Sequence, residues 1–330
     1  MNRPCFSLTR RGALLAAAAA ALPGTRAWAE APYPNKPIKL VLPTAPGSAV
    51  DLLARQLGPL LTAALGQPIV IDNVPGSANL IGTLQMLRAP HDGYTLGFQS
   101  STYAAMPSLY KLPFDPAKDV KPVTVMTSGP LLLVVNPRLA ASNLHELLAL
   151  AKSRPEASLL SYGSGGIGTT VHVAAELMTQ QSGVRMLHVP YKGAGQYATD
   201  LIGGQIDCGF LALGQALPYV RSNRLRAIGL STKARLPNMP EFTPLAELGL
   251  PGFDVDAWVA MVAPGQVPPA VMDRLNRVTV GALRSREMTQ FLYDNGGNTI
   301  GNSLPEASAM LVRELDRYAK VIKANDIKVS

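Results

Sequence analysis

Residues 38–71 read IKLVLPTAPGSAVDLLARQLGPLLTAALGQPIVI, an apolar run, a turn, a longer periodic run and a second apolar run. The periodic run has the i, i+3, i+4, i+7 spacing of a helix with one buried face. Ser48 with Asp51 three residues later has the form of a capping box, so we predict a helix that begins near Ser48 and ends at Gly66. A strand, a helix and a second strand in this order are typical of a β-α-β unit.

The same alternation continues beyond residue 71. Short apolar and β-branched runs predict strands at 38–42, 69–71, 95–98, 131–135, 159–162, 186–189, 208–211, 225–230 and 258–262. Runs of helical period predict further helices at about 79–88, 143–153, 169–181, 194–202, 267–284 and 305–324. We therefore expect an α/β fold, with a parallel sheet and crossover helices.

Pro-containing segments near 128–130 and 250–252 mark the places where we expect the chain to pass between two lobes. In this interpretation, residues 30–130 and 253–330 build lobe 1, and residues 131–252 build lobe 2. A ligand of such a protein binds in the cleft, at the carboxyl ends of strands and the amino ends of helices. The predicted site therefore lies between the lobes.

The first 29 residues have the features of an export signal peptide. Arg10 and Arg11 precede an apolar run at 12–22 that is too short to span a membrane, and the small residues at 27 and 29 fit a signal-peptidase site. We expect cleavage after Ala29 and a periplasmic mature protein. The paired arginines also resemble a twin-arginine signal, so the general secretory and twin-arginine routes both remain open.

Composition excludes several classes of protein. The 330 residues are 47% hydrophobic and 16% charged, which argues against a disordered chain. Loss of residues 1–29 removes four arginines and no acid, so 26 basic and 22 acidic side chains remain and the net charge falls to +4. These charges form no basic stripe, so nucleic-acid binding is not expected. Cys208 has no partner once Cys5 is removed, so we expect no internal disulfide.

A second strand-to-helix turn, at 163–168, has the sequence GSGGIG and contains the pattern G-x-G-x-x-G. The next strand, at 186–191, lacks the acidic residue that a dinucleotide site requires, so we expect no such cofactor. A glycine-rich turn at a helix amino end instead suits an anion, because free N–H groups and the helix dipole favour negative charge there. A turn that needs glycine only for its dihedral angles is the alternative.

Three charged residues near these turns are candidates for roles in the site. Asp51 is expected to cap its helix and to organise the first turn. Lys192, in the strand-to-helix passage at 188–195, is either a partner for a second carboxylate or a solvated cation. Asp207, before the strand at 208–211, is a candidate to fix the Lys192 loop or else an ordinary carboxylate at a strand start.

Catalytic machinery is sparse in this sequence. The four histidines (His91, His145, His172 and His188) follow no metal-ligand spacing, so we expect neither a metal site nor a cofactor. Ser164 lacks the flanking glycine of a nucleophile elbow, because Tyr162 stands in its place. We expect a protein that is not an enzyme, with an exported hydrolase using Ser164 and His172 as the alternative.

Taken together, the motifs resemble the Bug family, the extracytoplasmic solute receptors of tripartite tricarboxylate transporters. They are the export signal and the segments 43–51, 73–82, 92–96, 161–172, 188–193, 203–207 and 258–265. The resemblance implies a two-lobed type II periplasmic-binding-protein fold that closes on a small carboxylate-bearing ligand. It also implies membrane permease subunits as partners, and we expect the receptor to be a monomer. A sensor that signals through a membrane histidine kinase is the alternative.

The resemblance further implies which residues bind the ligand. Backbone groups and waters of the two turns would hold a carboxylate, at the matching positions Ser48, Ala49, Ser164, Gly165, Ile167 and Gly168. The variable end of the ligand would face Ser100, Ser101, Lys192 and Gly193. Ser48 and Asn79 stand where the family usually has glycine, so the resemblance does not identify the acid.

Overall fold

The computed structural model describes residues 33–324 and 326–328, in which strands and helices alternate. The strands are β1 (Ile38–Leu42), β2 (Ile69–Asn73), β3 (Thr95–Ser100), β4 (Val120–Val135), β5 (Ser161–Ser164), β6 (Leu187–Pro190), β7 (Cys208–Ala212), β8 (Arg226–Leu230), β9 (Asp256–Pro264) and β10 (Asn298–Thr299). The helices are α1 (Ala49–Leu65), α2 (Leu80–Leu87), α3 (Thr102–Leu109), α4 (Leu144–Ser153), α5 (Thr170–Ser182), α6 (Ala194–Gly203), α7 (Leu213–Arg221), α8 (Pro269–Leu283), α9 (Arg286–Asp294) and α10 (Leu304–Ala324). The predicted export signal lies outside the described residues.

The strands form one mixed sheet in the order β2-β1-β3-β9-β4-β7-β5-β6, and β8 and β10 also pair with β4. β1 is parallel to β2 and β3, and β5 is parallel to β6 and β7, as β-α-β units require. The expectation of a parallel sheet is wrong at its centre, where β4 and β9 run antiparallel to all their partners. No crossover helix joins β4 to β9, because they meet from distant parts of the chain.

β4 is the strand that joins the two halves of the sheet. Up to Pro130 it pairs with β9, and from Leu131 onward it pairs with β7 and β8. Only its last five residues, 131–135, are predicted from the sequence, because Pro122 and Gly129 interrupt the β-rich pattern before them. The register against β9 shifts between Pro122 and Thr124, and such bulges are where a long strand tolerates proline.

Local signals place the ends of α1 correctly. Ser48 Oγ accepts the N–H of Asp51 at 3.2 Å, and Gly66 ends the helix with φ 71° and an N–H bond to the Thr62 carbonyl at 2.9 Å. The capping box is half formed, since Asp51 Oδ2 accepts the N–H of Gly47 at 2.9 Å rather than that of Ser48. This difference draws the turn before α1 toward the helix.

Buried apolar side chains of the strands and helices form the core of the protein. One cluster includes Tyr162, Phe210 and Phe253, and a second includes Trp258 and Tyr318. Within the ranges that the structure describes, none of the helices combines the length and the apolar character that a membrane crossing demands. The loops that follow β1, β5 and β6 lie at the carboxyl ends of paired parallel strands.

Candidate functional site

A cavity of about 640 Å³ lies at the carboxyl ends of the parallel strands. Four helices begin at its wall, where it is lined by Ala49 of α1, Thr102 of α3, Thr170 of α5 and Leu213 of α7. Lys192 is the one charged side chain among the described residues that line it. Helix amino ends and a cation without an opposing carboxylate make this cavity suited to an anion.

Eight of the twelve predicted ligand residues line the cavity. They are Ser48, Ala49, Ser100, Ser101, Gly165, Ile167, Lys192 and Gly193. The other four are Asp51, Ser164, Gly168 and Asp207. Each of these four does not line the cavity but makes hydrogen bonds to other residues of the protein.

The amino end of α1 offers two backbone N–H groups to the cavity. The N–H groups of Asp51 and Leu52 bond to Ser48, through its hydroxyl and its carbonyl respectively. Those of Ala49 and Val50 have no acceptor in the described part of the chain, and both residues line the cavity. A carboxylate is the ligand group that such a pair of amides favours.

Asp51 organises this turn from behind. Its side chain is 2% exposed, and it accepts the Gly47 N–H at 2.9 Å, Asn73 Nδ2 at 3.1 Å and Arg55 Nε at 2.9 Å. Burial raises the pKa of Asp51, but these hydrogen bonds outweigh burial and hold it below its ordinary value. An ionised Asp51 therefore ties β1, β2 and α1 together at the edge of the cavity.

In the glycine loop, 163–168, N–H groups that bond within the protein alternate with N–H groups that have no such partner. The Gly166 N–H donates to Ser164 Oγ, and the Gly168 N–H donates to His172 Nδ1, each at 3.1 Å. The Gly165 and Ile167 N–H groups have no acceptor among the residues described, and both residues line the cavity. The N–H of Gly168, which the family resemblance assigns to a ligand, is thus already donated within the protein.

Ser164 is not placed as a nucleophile. Ser164 is fully buried, and its Oγ bonds to His188 Nε2 at 2.7 Å and to the Gly166 carbonyl at 3.2 Å. Burial lowers the pKa of His188 to about 4, which makes it a weak base near neutral pH. The burial of Ser164 and the low pKa of His188, together, do not favour the hydrolase alternative. In the described ranges, no group of three or more His, Cys, Asp or Glu side chains could hold a metal.

Lys192 and Asp207 lie at opposite ends of their strands. Lys192 follows the carboxyl end of β6, is exposed, and makes no ion pair with any described residue. Asp207 accepts both the backbone N–H and the hydroxyl of Ser161, at 2.7 and 2.8 Å, where β5 and β7 begin. The expectation that Asp207 fixes the Lys192 loop is wrong, because parallel strands put their beginnings and ends on opposite edges.

Two further features of the cavity are not among the predicted ligand residues. Ser77, Ala78 and Asn79 adopt positive φ values of 47°, 47° and 77°, a costly backbone that clusters at functional sites. Asn79 Nδ2 supports this segment by donating to Gln99 Oε1 and Ser100 Oγ, each at 3.2 Å. Only the asparagine, which tolerates this conformation, could have signalled it.

The second feature is a contact across the cavity. Gln215, on the first turn of α7, donates from Nε2 to the Gly47 carbonyl at 3.1 Å. A Cβ added to Gly193 would lie 3.2 Å from the Cβ of Ala45, so the Lys192 loop also approaches the turn before α1. Gln215 is not predicted, because the sequence around it, which contains Pro218, does not indicate a helix. Loops from the two halves of the sheet thus meet over the cavity.

Comparisons with known proteins give a consistent result. Residues 53–327 match the family described as tripartite tricarboxylate transporter family receptor. The chain is 31% identical to BugT of Bordetella pertussis over 300 residues, which cover 90% of this chain and 91% of BugT. It is similar in structure to the periplasmic binding protein BugD, with a TM-score of 0.85, 28% identity and coverage of 90% of this chain and 100% of BugD. For Rpa4515 of R. palustris, solved with adipate, the TM-score is 0.86, the identity 30% and the coverage likewise 90% and 100%.

Proposed function

Because the chain belongs to the family of tripartite tricarboxylate transporter receptors, we propose that it captures a small carboxylate in its cavity for transport across a membrane. The fold is similar to that of the periplasmic binding protein BugD, which supports a two-lobed arrangement. We infer that the mature receptor works in the periplasm after cleavage behind Ala29, and that its partners are the permease subunits of a tripartite transporter. The matched family is one of transport receptors, which supports delivery rather than signalling to a kinase.

One observation carries this proposal. Four backbone N–H groups, those of Ala49, Val50, Gly165 and Ile167, lack acceptors among the described residues, and all four residues line one cavity. A carboxylate offers about four lone-pair positions on two oxygens, which matches this number of donors. The dipoles of α1 and α5 add to the attraction, so the site needs no arginine to hold an anion.

The two lobes would each contribute one pair of these donors. We place residues 30–130 and 253–330 in lobe 1 and residues 131–252 in lobe 2. The support for this division is that β4 exchanges β9 for β7 and β8 as partners after Pro130. A carboxylate bound by both pairs would therefore favour the closed arrangement of the lobes.

The rest of the ligand would lie between apolar walls and a single cation. Leu53, Val171, Leu213 and Phe291 are among the apolar residues that line the cavity. Lys192 is exposed and without an ion-pair partner among the described residues, so it is available to a second carboxylate. We infer that diacids gain from Lys192, whereas monoacids depend on the amide groups alone.

Substitution of Gly165 tests the site directly. Gly165→Pro removes one of the four N–H donors, and the φ of Gly165 is not in the positive range that would exclude proline. We expect about tenfold weaker binding of adipate, the loss of one charge-assisted hydrogen bond. Gly165→Ala keeps the N–H and is the matched control. Calorimetric titration measures both, after circular dichroism shows that each variant is folded.

Two results would argue against a role for the Gly165 N–H in binding the carboxylate. A folded Gly165→Pro variant with the affinity of the wild type would place the carboxylate elsewhere in the cavity. Equal losses in the proline and alanine variants would assign the effect to the added side-chain atoms instead of the missing donor.

A further inference from the structure

Two histidines stack beneath the glycine loop. His172 lies on the first turn of α5 and is 5% exposed, and His188 lies on β6. Their ring centroids are 4.1 Å apart with planes at 21°, and Tyr162 stacks on His188 at 4.9 Å and 16°. None of the three residues lines the cavity. The two stacked imidazoles therefore lie against the glycine loop but outside the cavity.

Each imidazole is bonded to the loop. His172 Nδ1 accepts the N–H of Gly168 at 3.1 Å. His188 Nε2 lies 2.7 Å from Ser164 Oγ, and that hydroxyl oxygen accepts the N–H of Gly166 at 3.1 Å. The N–H groups of Gly166 and Gly168 are thus held on the side of the loop that faces the histidines.

The intervening N–H groups are left for the cavity. Gly165 and Ile167 are cavity residues whose N–H groups have no acceptor within the described chain. Gly166 and Gly168 have φ values of 119° and 79°, which residues with side chains rarely adopt. This backbone conformation, together with the two bonds on the histidine side, directs the N–H groups of Gly166 and Gly168 away from those of Gly165 and Ile167.

The tautomer of His172 follows from these contacts. Nδ1 can accept the Gly168 N–H only while it is unprotonated, so a neutral ring carries its proton on Nε2. Nε2 lies 3.7 Å from Glu176 Oε1, which also accepts the hydroxyl of Tyr162. Burial, and then the neighbouring His188, lower the pKa of His172 to about 3, so the ring is neutral at pH 7.

We propose that His172 and His188 are positioning residues for the ligand. They hold the N–H groups of Gly166 and Gly168 on the histidine side of the loop, away from the cavity, and so leave the N–H groups of Gly165 and Ile167 for a carboxylate. This inference rests on the proposed function and deepens it. The two histidines act through the loop and touch no ligand atom. Their value lies in the hydrogen bonds that His172 Nδ1 and His188 Nε2 make with the loop, and not in their charge.

Matched substitutions separate positioning from packing. The side-chain oxygen of Asn lies as many bonds from Cα as Nδ1 does, so His172→Asn keeps an acceptor that His172→Leu lacks. His188→Gln and His188→Leu form the same pair at Nε2. For adipate we expect about tenfold weaker binding in each Leu variant and a largely restored affinity in the Asn and Gln variants. His145→Leu, on the exposed face of α4, is the control and leaves affinity unchanged.

Folded Leu variants that bind adipate as the wild type does would overturn the proposal. Equal losses in the Leu and amide variants would do the same, since packing alone would then explain them. Nitrogen-15 NMR of the wild type at pH 7 needs no variant to fold: we expect a protonated Nε2 in His172, and a proton on Nδ1 overturns the proposal. A wild type that binds no acid at all contradicts the proposed function instead, and this result is visible before any variant is made.

Discussion

Asp256 shows how burial sets the chemistry of a single residue where the sheet changes partners. It is the first residue of β9, opposite Pro130 of β4. Burial is the main cause that raises its pKa, to about 6 from an ordinary value of 3.8. The groups that act on it besides burial are Ser128, Asp254, Arg317 and Glu314. Ser128 and Arg317 favour the charged form, and the two acids oppose it.

Stability should therefore depend on pH through Asp256. Folded Asp256 keeps its proton up to pH about 6, whereas the unfolded chain releases it near 3.8, so the free energy of unfolding falls as pH rises between these values. Asp256→Asn should abolish this loss and stabilise the protein by about 3 kcal/mol at pH 7.5, with little gain at pH 4. Urea unfolding at both pH values measures the difference, with Asp273→Asn, an exposed residue that is not among the groups acting on Asp256, as control. A gain that is independent of pH would contradict this assignment.

Single residues are predictable from sequence when their partners are close in the chain. Ser48 caps α1 by accepting the N–H of Asp51, three positions on, as the sequence predicts, and Asn143 caps α4 through Glu146 in the same way. Asp207 bonds to Ser161, 46 residues away, and His172 stacks on His188 from another element. Such contacts depend on which strands become neighbours, and local spacing carries no information about that.

At the scale of elements, length and periodicity decide what is predictable. The long amphipathic helices α1, α8 and α10 lie close to their predicted bounds. The short helices α3, α7 and α9, of eight or nine residues, are missed. α3 and α7 contain Pro107 and Pro218, and most of α3 is buried, so no polar face marks its period. Because α3 and α7 begin at the cavity, the part of the site that they form could not be predicted from the sequence either.

The turn before α1 provides a test at this scale. Asp51→Ala removes the acceptor for Gly47, Asn73 and Arg55, and we expect a loss of about 2–4 kcal/mol in the free energy of unfolding. Adipate should also bind more weakly, because the turn that presents Ala49 and Val50 loses its support. Chemical unfolding and calorimetry measure the two effects.

Glu146 supplies the matched control for Asp51. Its carboxylate accepts bonds from Ser142 and Asn143 at the exposed start of α4, away from the cavity. Glu146→Ala should cost about 1 kcal/mol of stability and leave adipate binding unchanged. If Asp51→Ala bound adipate with wild-type affinity, the carboxylate would have no part in shaping the ligand turn.

At the scale of the molecule, the α/β class follows from the alternation of strands and helices, whereas the two-lobed fold follows from the family motifs taken as a set. The mixed centre of the sheet does not follow from either, because β4 and β9 pair across more than a hundred residues. The lobe boundaries remain a prediction. Gln215 meets Gly47 over the cavity, which is the contact expected of lobes closed on a ligand.

Binding of a carboxylate by backbone amides is tested most directly by calorimetric titration of the purified protein, stripped of bound solute. The ligands are adipate and its uncharged diamide, adipamide, with benzoate and benzamide as a monoacid pair. We expect at least one acid to bind and its amide to bind at least about 100-fold more weakly, since charged acceptors form the stronger hydrogen bonds. Equal affinities for an acid and its amide, or no binding of either acid, would contradict a site built to hold a carboxylate.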